Sequence, residues 1–565
     1  MLRPSKRLIG NTVLLIVLLC NLQLVAQTHN VYIVKFTDKD TSVSAENTLS
    51  TKAIDRRVKF GIPLDYYDLP VNEQYVQHVL KDSTIHLRYT LKWHNAAVVS
   101  SESDDISNLE KVSFIESVNY VGKAPYIKNI ESPTFISPIL KLKESSMSTL
   151  GLTPQDYGIS YDQNKQIGTV ELHKQGLNGE GVSIAIFDAG FKNINQIPSF
   201  LKHQSNDLLT FGYDVAGLDN ELNINDNHGT ACASTFGAYH KGKYIGSSPK
   251  AHLTLFRTEF AASEYPIEEL NWCKAAELAD SAGIDLITSS LGYNQYDDKS
   301  LSYSHKDLDG KTSYISLGAS VATSRGIVVL NSAGNQGDNQ WRKIGTPADV
   351  PSVLTVGAVD VQGKPGKFSS QGYNATGTVK PDVAACGVLA AVASPGGGYY
   401  KGYGTSYSTP LTAGGVACIM QAFPEKKPDE IADLIRFTST QSSSPDSIMG
   451  YGVAQFDIAY QYSIAQKNED ITYRLLKNDN NAIVMYLKND GTYSYNMYYS
   501  KRFLKIFKLK KGKKKGEFSS YQSIGRILMV EDQQNCSNKY TIKITPSSSV
   551  GNEPFIIKGL SICSP

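Results

Sequence analysis

Three residues of this 565-residue chain have side chains suited to moving a proton and attacking a carbonyl: Asp188, His228 and Ser406. Serine hydroxyl is a weak nucleophile at neutral pH and needs a neighbouring base, most often an imidazole, itself held by a carboxylate. Asp188 closes the apolar run 182–187 and is followed by Ala189 and Gly190. An acid placed there faces a cleft while staying largely desolvated, or caps a turn. His228 opens the small-residue run 228–234, which reads as the start of a closely packed helix with the imidazole reaching outward. Taken alone, it reads first as a helix-start histidine without a partner. Ser406 sits in Gly404-Thr405-Ser406-Tyr407 ahead of Pro410, a strand-to-helix turn in which Pro410 is tolerable only if the helix has just begun. At that helix start, free backbone amides can stabilise an oxyanion, or Ser406 is an ordinary cap.

The elements that must position these residues are legible in the periodicity. From 158 to 465, short β-branched apolar runs (182–187, 253–257, 284–289, 327–331 and 353–359) alternate with amphipathic segments at 266–282 and 314–324, which end at Gly283 and Gly326. Continuous apolar strands alternating with helices predict an α/β domain, a parallel sheet flanked by helices. In such sheets ligands bind beyond the carboxyl ends of the strands, where these motifs fall.

The order Asp, His, Ser along the chain is that of subtilisin. With Asp188-Ala189-Gly190, His228-Gly229-Thr230 and Gly404-Thr405-Ser406 through Pro410, residues 158–465 resemble the subtilase family of serine proteases. The resemblance implies an endopeptidase in which His228 is the general base, Asp188 holds its tautomer and Ser406 carries the acyl group. It extends to Ser332-Ala333-Gly334-Asn335, similar to the family's oxyanion segment with Asn335 as donor, and to Ser290-Leu291-Gly292, similar to the edge that pairs with substrate backbone. Cys232, Ser234, Tyr407 and Ser408 depart from the family pattern, and Tyr407 is positioned to crowd the cleft. The competing reading is a catalytically silent subtilase-like scaffold that binds a surface ligand through its β tail.

The rest of the chain bounds the setting. Arg3, Lys6 and Arg7 precede an apolar run, so 1–26 reads as a signal peptide and the product as secreted or cell-surface, with no stable membrane insertion after its removal. Residues 27–121 read as an α+β unit and 122–157 as an exposed, cuttable linker. The family resemblance makes the unit an inhibitory pro-domain. The tail 466–565 reads as a small β domain, with Lys508 to Lys515 as a solvated hairpin turn. A net charge of +2 favours no nucleic-acid partner, which leaves a polypeptide substrate and the chain's own pro-domain. Cys232, Cys273 and Cys418 read as buried small hydrophobes, and Cys536 with Cys563 as a candidate disulfide. The chemistry requires no cofactor. The loop 219–227, with Asp219, Glu221, Asn225 and Asp226, either carries oxygen ligands for a structural calcium ion or is a solvated turn.

Overall fold

A computed structural model describes residues 28–127, 130–131, 133, 152–223 and 226–467, and beyond them a series of strands between 473 and 558. The segment 1–26 read as a signal peptide, most of the stretch read as a linker, Asn225, the basic run at 508–515 and the Cys536/Cys563 pair lie outside the described residues.

The N-terminal unit is a four-stranded antiparallel sheet built from β1 (Thr28–Phe36), β2 (Ile85–Leu91), β3 (Ala96–Ser101) and β4 (Ile115–Pro125), in the order β2-β3-β1-β4. Helices α1 (Thr51–Phe60) and α2 (Glu73–Val79) connect β1 to β2. Ser50 caps α1 by accepting from the Ala53 amide. Two features go beyond the sequence reading. The run Ala-Ala-Val-Val-Ser-Ser, too small and uniform to show alternation, is a buried inner strand, and the last strand continues to Pro125 rather than ending at 121.

The larger unit is a seven-stranded parallel sheet in the order β13-β12-β11-β10-β5-β9-β6. The five expected runs are β5 (Ser183–Asp188), β9 (His252–Arg257), β10 (Leu286–Ser289), β11 (Val328–Ser332) and β12 (Leu354–Val359). They are joined by β6 (Leu209–Asp214) and β13 (Val383–Cys386), while β7 (Tyr239–His240) and β8 (Tyr244–Ile245) form a separate ribbon. Every residue of β5 is buried, because helices cover both faces. The helices that matter here are α3 (His228–Gly237), α4 (Ile267–Ala282), α5 (Tyr314–Ser324) and α6 (Thr405–Ala422). An antiparallel hairpin, β14 (Val388–Ala393) and β15 (Tyr399–Tyr403), leads into α6.

The two units share one core. Leu91, Trp93 and Val98 of the first pack in a single cluster with Ile267, Trp272 and Ile315 of the second. Around that cluster runs a band of buried charge. Asp280, with no exposed surface, pairs with Arg56 (2.6 Å), Arg57 (2.9 Å) and Lys92 (3.6 Å). Arg325 answers with Asp65 and Asp68. Arg56 also donates to the carbonyls of Ile284 and Arg325, and Arg57 to that of Arg325. The Arg325 carbonyl caps α5 and the Asp280 carbonyl, which also accepts from Arg56, lies in the last turn of α4, where unsatisfied acceptors and the negative end of the helix dipole favour a cation.

In the tail, Tyr473–Lys477, Ala482–Leu487 and Phe555–Lys558 form one three-stranded antiparallel sheet. Tyr493–Tyr498, Met529–Asp532 and Lys539–Ile544 form another. Among the described residues no helix is long and apolar enough to cross a membrane.

Candidate active site

β5 ends at Asp188, fully buried, whose Oδ1 accepts from the Ala189 amide (2.8 Å) and lies 2.7 Å from His228 Nδ1. His228 is the first residue of α3, and its amide is capped by Asp226. The next residue has to be glycine: a Cβ on Gly229 would stand 2.5 Å from the carbonyl oxygen of Gly190, so the helix seats directly on the turn that follows Asp188. One third of the His228 side chain remains exposed, toward the cleft.

Ser406 is the second residue of α6, after Gly404 at φ 157°. Pro410 is not at the helix start, as the sequence reading required, but one turn inside it. The reason is local. Lacking an N–H, Pro410 leaves the Ser406 carbonyl without its helical donor. That carbonyl accepts instead from Ser290 Oγ (2.8 Å) and Cys232 Sγ (3.3 Å), which pins the residue between the β10 edge and α3. Among the described residues the Ser406 hydroxyl forms no hydrogen bond with His228.

Asn335 follows β11 and faces the cleft. Its Oδ1 accepts from the Thr405 amide (2.9 Å) and hydroxyl (3.1 Å), and that hydroxyl in turn accepts from the Gly334 amide. A backbone N–H can only donate, so the carboxamide must turn its oxygen to Thr405 and its NH2 outward, beside Ser406. The Leu291 carbonyl is held by Asn331 Nδ2 and Ser332 Oγ, and Gly292 is exposed at the edge. Ala333 is buried and Gly334 half-buried behind them. The structure therefore brings Asp188 and His228 into contact, ties Ser406 to Ser290, ties Asn335 and Gly334 to Thr405, and ties Ser332 to the Leu291 carbonyl.

The Asp188 carboxylate raises the His228 pKa well above its ordinary value, with the Cys232 sulfur contributing. Burial pushes the Cys232 thiol up as well, so it is uncharged at neutral pH and Asp188 is the effective charge. Cys232 is nonetheless a site residue that the sequence reading set aside: its sulfur lies 3.7 Å from His228 Nδ1 and 3.9 Å from Nε2. The signal was present, since residues four apart share a helix face. The Tyr407 ring stands 6.3 Å from the imidazole, centre to centre, beside Gly402, whose missing Cβ makes room for it.

Asp188, His228 and Cys232 are also the described residues grouped closely enough to hold a metal ion. Asp219, Glu221 and Asp226 each accept from a backbone amide in their own turn, those of Glu221, Asn223 and His228 respectively.

Fold and site together define a subtilisin-like α/β architecture with an N-terminal unit packed against it. The subtilase family model matches residues 179–452, and the Bacteroidota peptidase S8 propeptide domain model matches residues 31–134. Subtilisin from Bacillus pumilus is 30% identical over 296 residues, which cover 51% of this chain and 92% of that protein. The serine protease AprX of Bacillus subtilis (strain 168) is 30% identical over 292 residues, covering 46% of this chain and 62% of that protein, so the chain spans less than two thirds of that relative. The crystal structure of the epidermin leader peptide processing serine protease of Staphylococcus aureus superposes with a TM-score of 0.50 at 17% identity, covering 77% of this chain and 99% of that one. The chain belongs to the subtilase family, with a propeptide domain preceding its catalytic-type domain.

Proposed function

We propose that the protein is a secreted serine endopeptidase with Asp188, His228 and Ser406 as its triad, made as a precursor whose N-terminal unit is its own inhibitor. The observation that carries the reading is the convergence of a buried carboxylate on His228 Nδ1 with a serine at a helix start beside an outward-turned carboxamide. Asp188 accepts from Nδ1, which leaves Nε2 as the base that takes the Ser406 proton and later returns it to the leaving amine. The carbonyl carbon bonds to Ser406 Oγ, and the oxyanion is received by the Asn335 amide and the Ser406 backbone N–H. Water then releases the acyl group by the same route. An extended peptide would lie along Ser290–Gly292 as an added strand, which sets register without reading sequence.

The test is labelling of the matured protein with a serine-directed phosphonate and mapping of the modified peptide. Label on Ser406, with casein hydrolysis and self-processing both lost in Ser406→Ala, is the expected result. Label elsewhere, or normal processing by the variant, would remove Ser406 from the role.

A further inference from the structure

The cleft has a second wall. In the strand order β10-β5-β9, Asp188 ends the middle strand, so the segments leaving β10 (290–296) and β9 (258–266) stand on either side of it. The first is anchored to the nucleophile's residue through Ser290 Oγ, and the second to Asp188 through the Thr258 amide (3.1 Å). Two links join the walls. At their outer ends the Asp297 amide donates to the Glu264 carbonyl, and the Glu264 amide to Asp297 Oδ2. Beneath the cleft the Tyr293 hydroxyl donates to Glu259 Oε1 at 2.6 Å, with the Thr258 hydroxyl donating to the same oxygen at 2.8 Å.

We propose that the Tyr293–Glu259 hydrogen bond is a positioning tie that holds the two cleft walls at the separation an extended peptide requires. The inference rests on the peptidase reading above, and neither residue touches the reacting atoms. Tyr293 is fixed from behind: its backbone pairs in both directions with Thr346, at 3.0 Å each way, so its ring is a rigid strut. Glu259 is fixed by its neighbour Glu268, whose carboxylate oxygens accept from the Phe260 and Tyr265 amides and fold the segment over it. Tyr293 and Glu268 are each 1% exposed and Glu259 8%, so water does not replace the bond when it is lost. Burial raises the pKa of both carboxyls, Glu264 adds to the rise at each, and Glu259 adds to that of Glu268, which favours their neutral forms.

The tie is tested in the matured full-chain protein with Tyr293→Phe, Glu259→Ala and Glu259→Gln. Each is assayed on a long peptide that spans the cleft and on a single-residue ester that does not. Tyr293→Phe and Glu259→Ala are expected to raise KM for the peptide by roughly five- to tenfold, the value of one buried hydrogen bond, with kcat and ester hydrolysis nearly unchanged. Glu259→Gln keeps the acceptor oxygen and is expected to restore the peptide KM. Equal effects on both substrates, a change in kcat alone, or a Glu259→Gln variant as impaired as Glu259→Ala would overturn the proposal while leaving the peptidase reading intact. A wild-type protein that cleaves no peptide and takes no phosphonate overturns both.

Discussion

Replacing Asp280 by alanine should loosen the N-terminal unit from the subtilase domain more than any other single change at their interface. The Asp280 carboxylate has no exposed surface and faces two guanidinium groups, on Arg56 and Arg57, that are 5% and 2% exposed. Burial would raise its pKa, but Arg56, Lys92 and Arg57 outweigh that and hold it below the usual carboxylate range, so the pair is fully charged at neutral pH. Removing one partner of a buried pair costs about 3–5 kcal/mol because the other charge is left without compensation. Arg57 keeps Asp68 (3.0 Å), whereas Arg56 keeps only carbonyl acceptors, so most of the loss should come through Arg56. The assay is urea unfolding of the Ser406→Ala precursor, which keeps the chain uncut, followed by tryptophan emission. Trp93 and Trp272 are buried in the shared cluster and report undocking. The triple replacement Arg56→Met, Arg57→Met, Asp280→Leu removes charge from both sides and should recover most of the lost stability. A loss under about 1 kcal/mol for Asp280→Ala, the range of exposed pairs, would show that water reaches the network and that the energetic argument is wrong.

Three further outcomes follow from the same geometry. His94, held 3.1 Å from the Tyr314 carbonyl, has its pKa lowered by burial to about 4. The undocked histidine binds its proton first, so docking should weaken as pH falls from about 6.5 to 4, by up to about 3 kcal/mol, and His94→Gln should remove that component when the two pH series are subtracted. Because Asp188 raises the pKa of His228 and only the neutral imidazole accepts a proton, the acid limb of kcat/KM should have its midpoint well above 6.5; a midpoint at or below 6.5 would contradict the assignment of the base. Asn335→Ala should lower kcat by roughly 10²–10³ with little change in KM, the effect of removing one oxyanion donor in subtilisin, and near-native turnover would mean that the oxyanion has another donor.

Much of this protein is written locally. Five of the seven strands in the parallel sheet declare themselves because a strand covered on both faces must be apolar throughout. Helices α4 and α5 show both their period and the glycines at their ends. The residue types of the candidate site are legible only together: each of the carboxylate, imidazole and hydroxyl has an ordinary capping or surface use alone, and it is their order and flanking small residues that single them out. β3 and β6 escaped because small or half-exposed strands carry no period, and their pairing is decided by partners distant in the chain. Tertiary structure alone decided how the site residues act. The Ser406 carbonyl that Pro410 leaves without a helical donor is satisfied only because Ser290 Oγ and Cys232 Sγ arrive from other elements to donate to it. Asn335 turns its amide outward only because the Thr405 amide, 70 residues later, can do nothing but donate to its oxygen. Glu259 and Glu268 look like surface acids in the sequence, and Arg56 and Arg57 like any helix cations. Their burial, and with it the strength of every bond they make, is a property of packing between segments that no local pattern records.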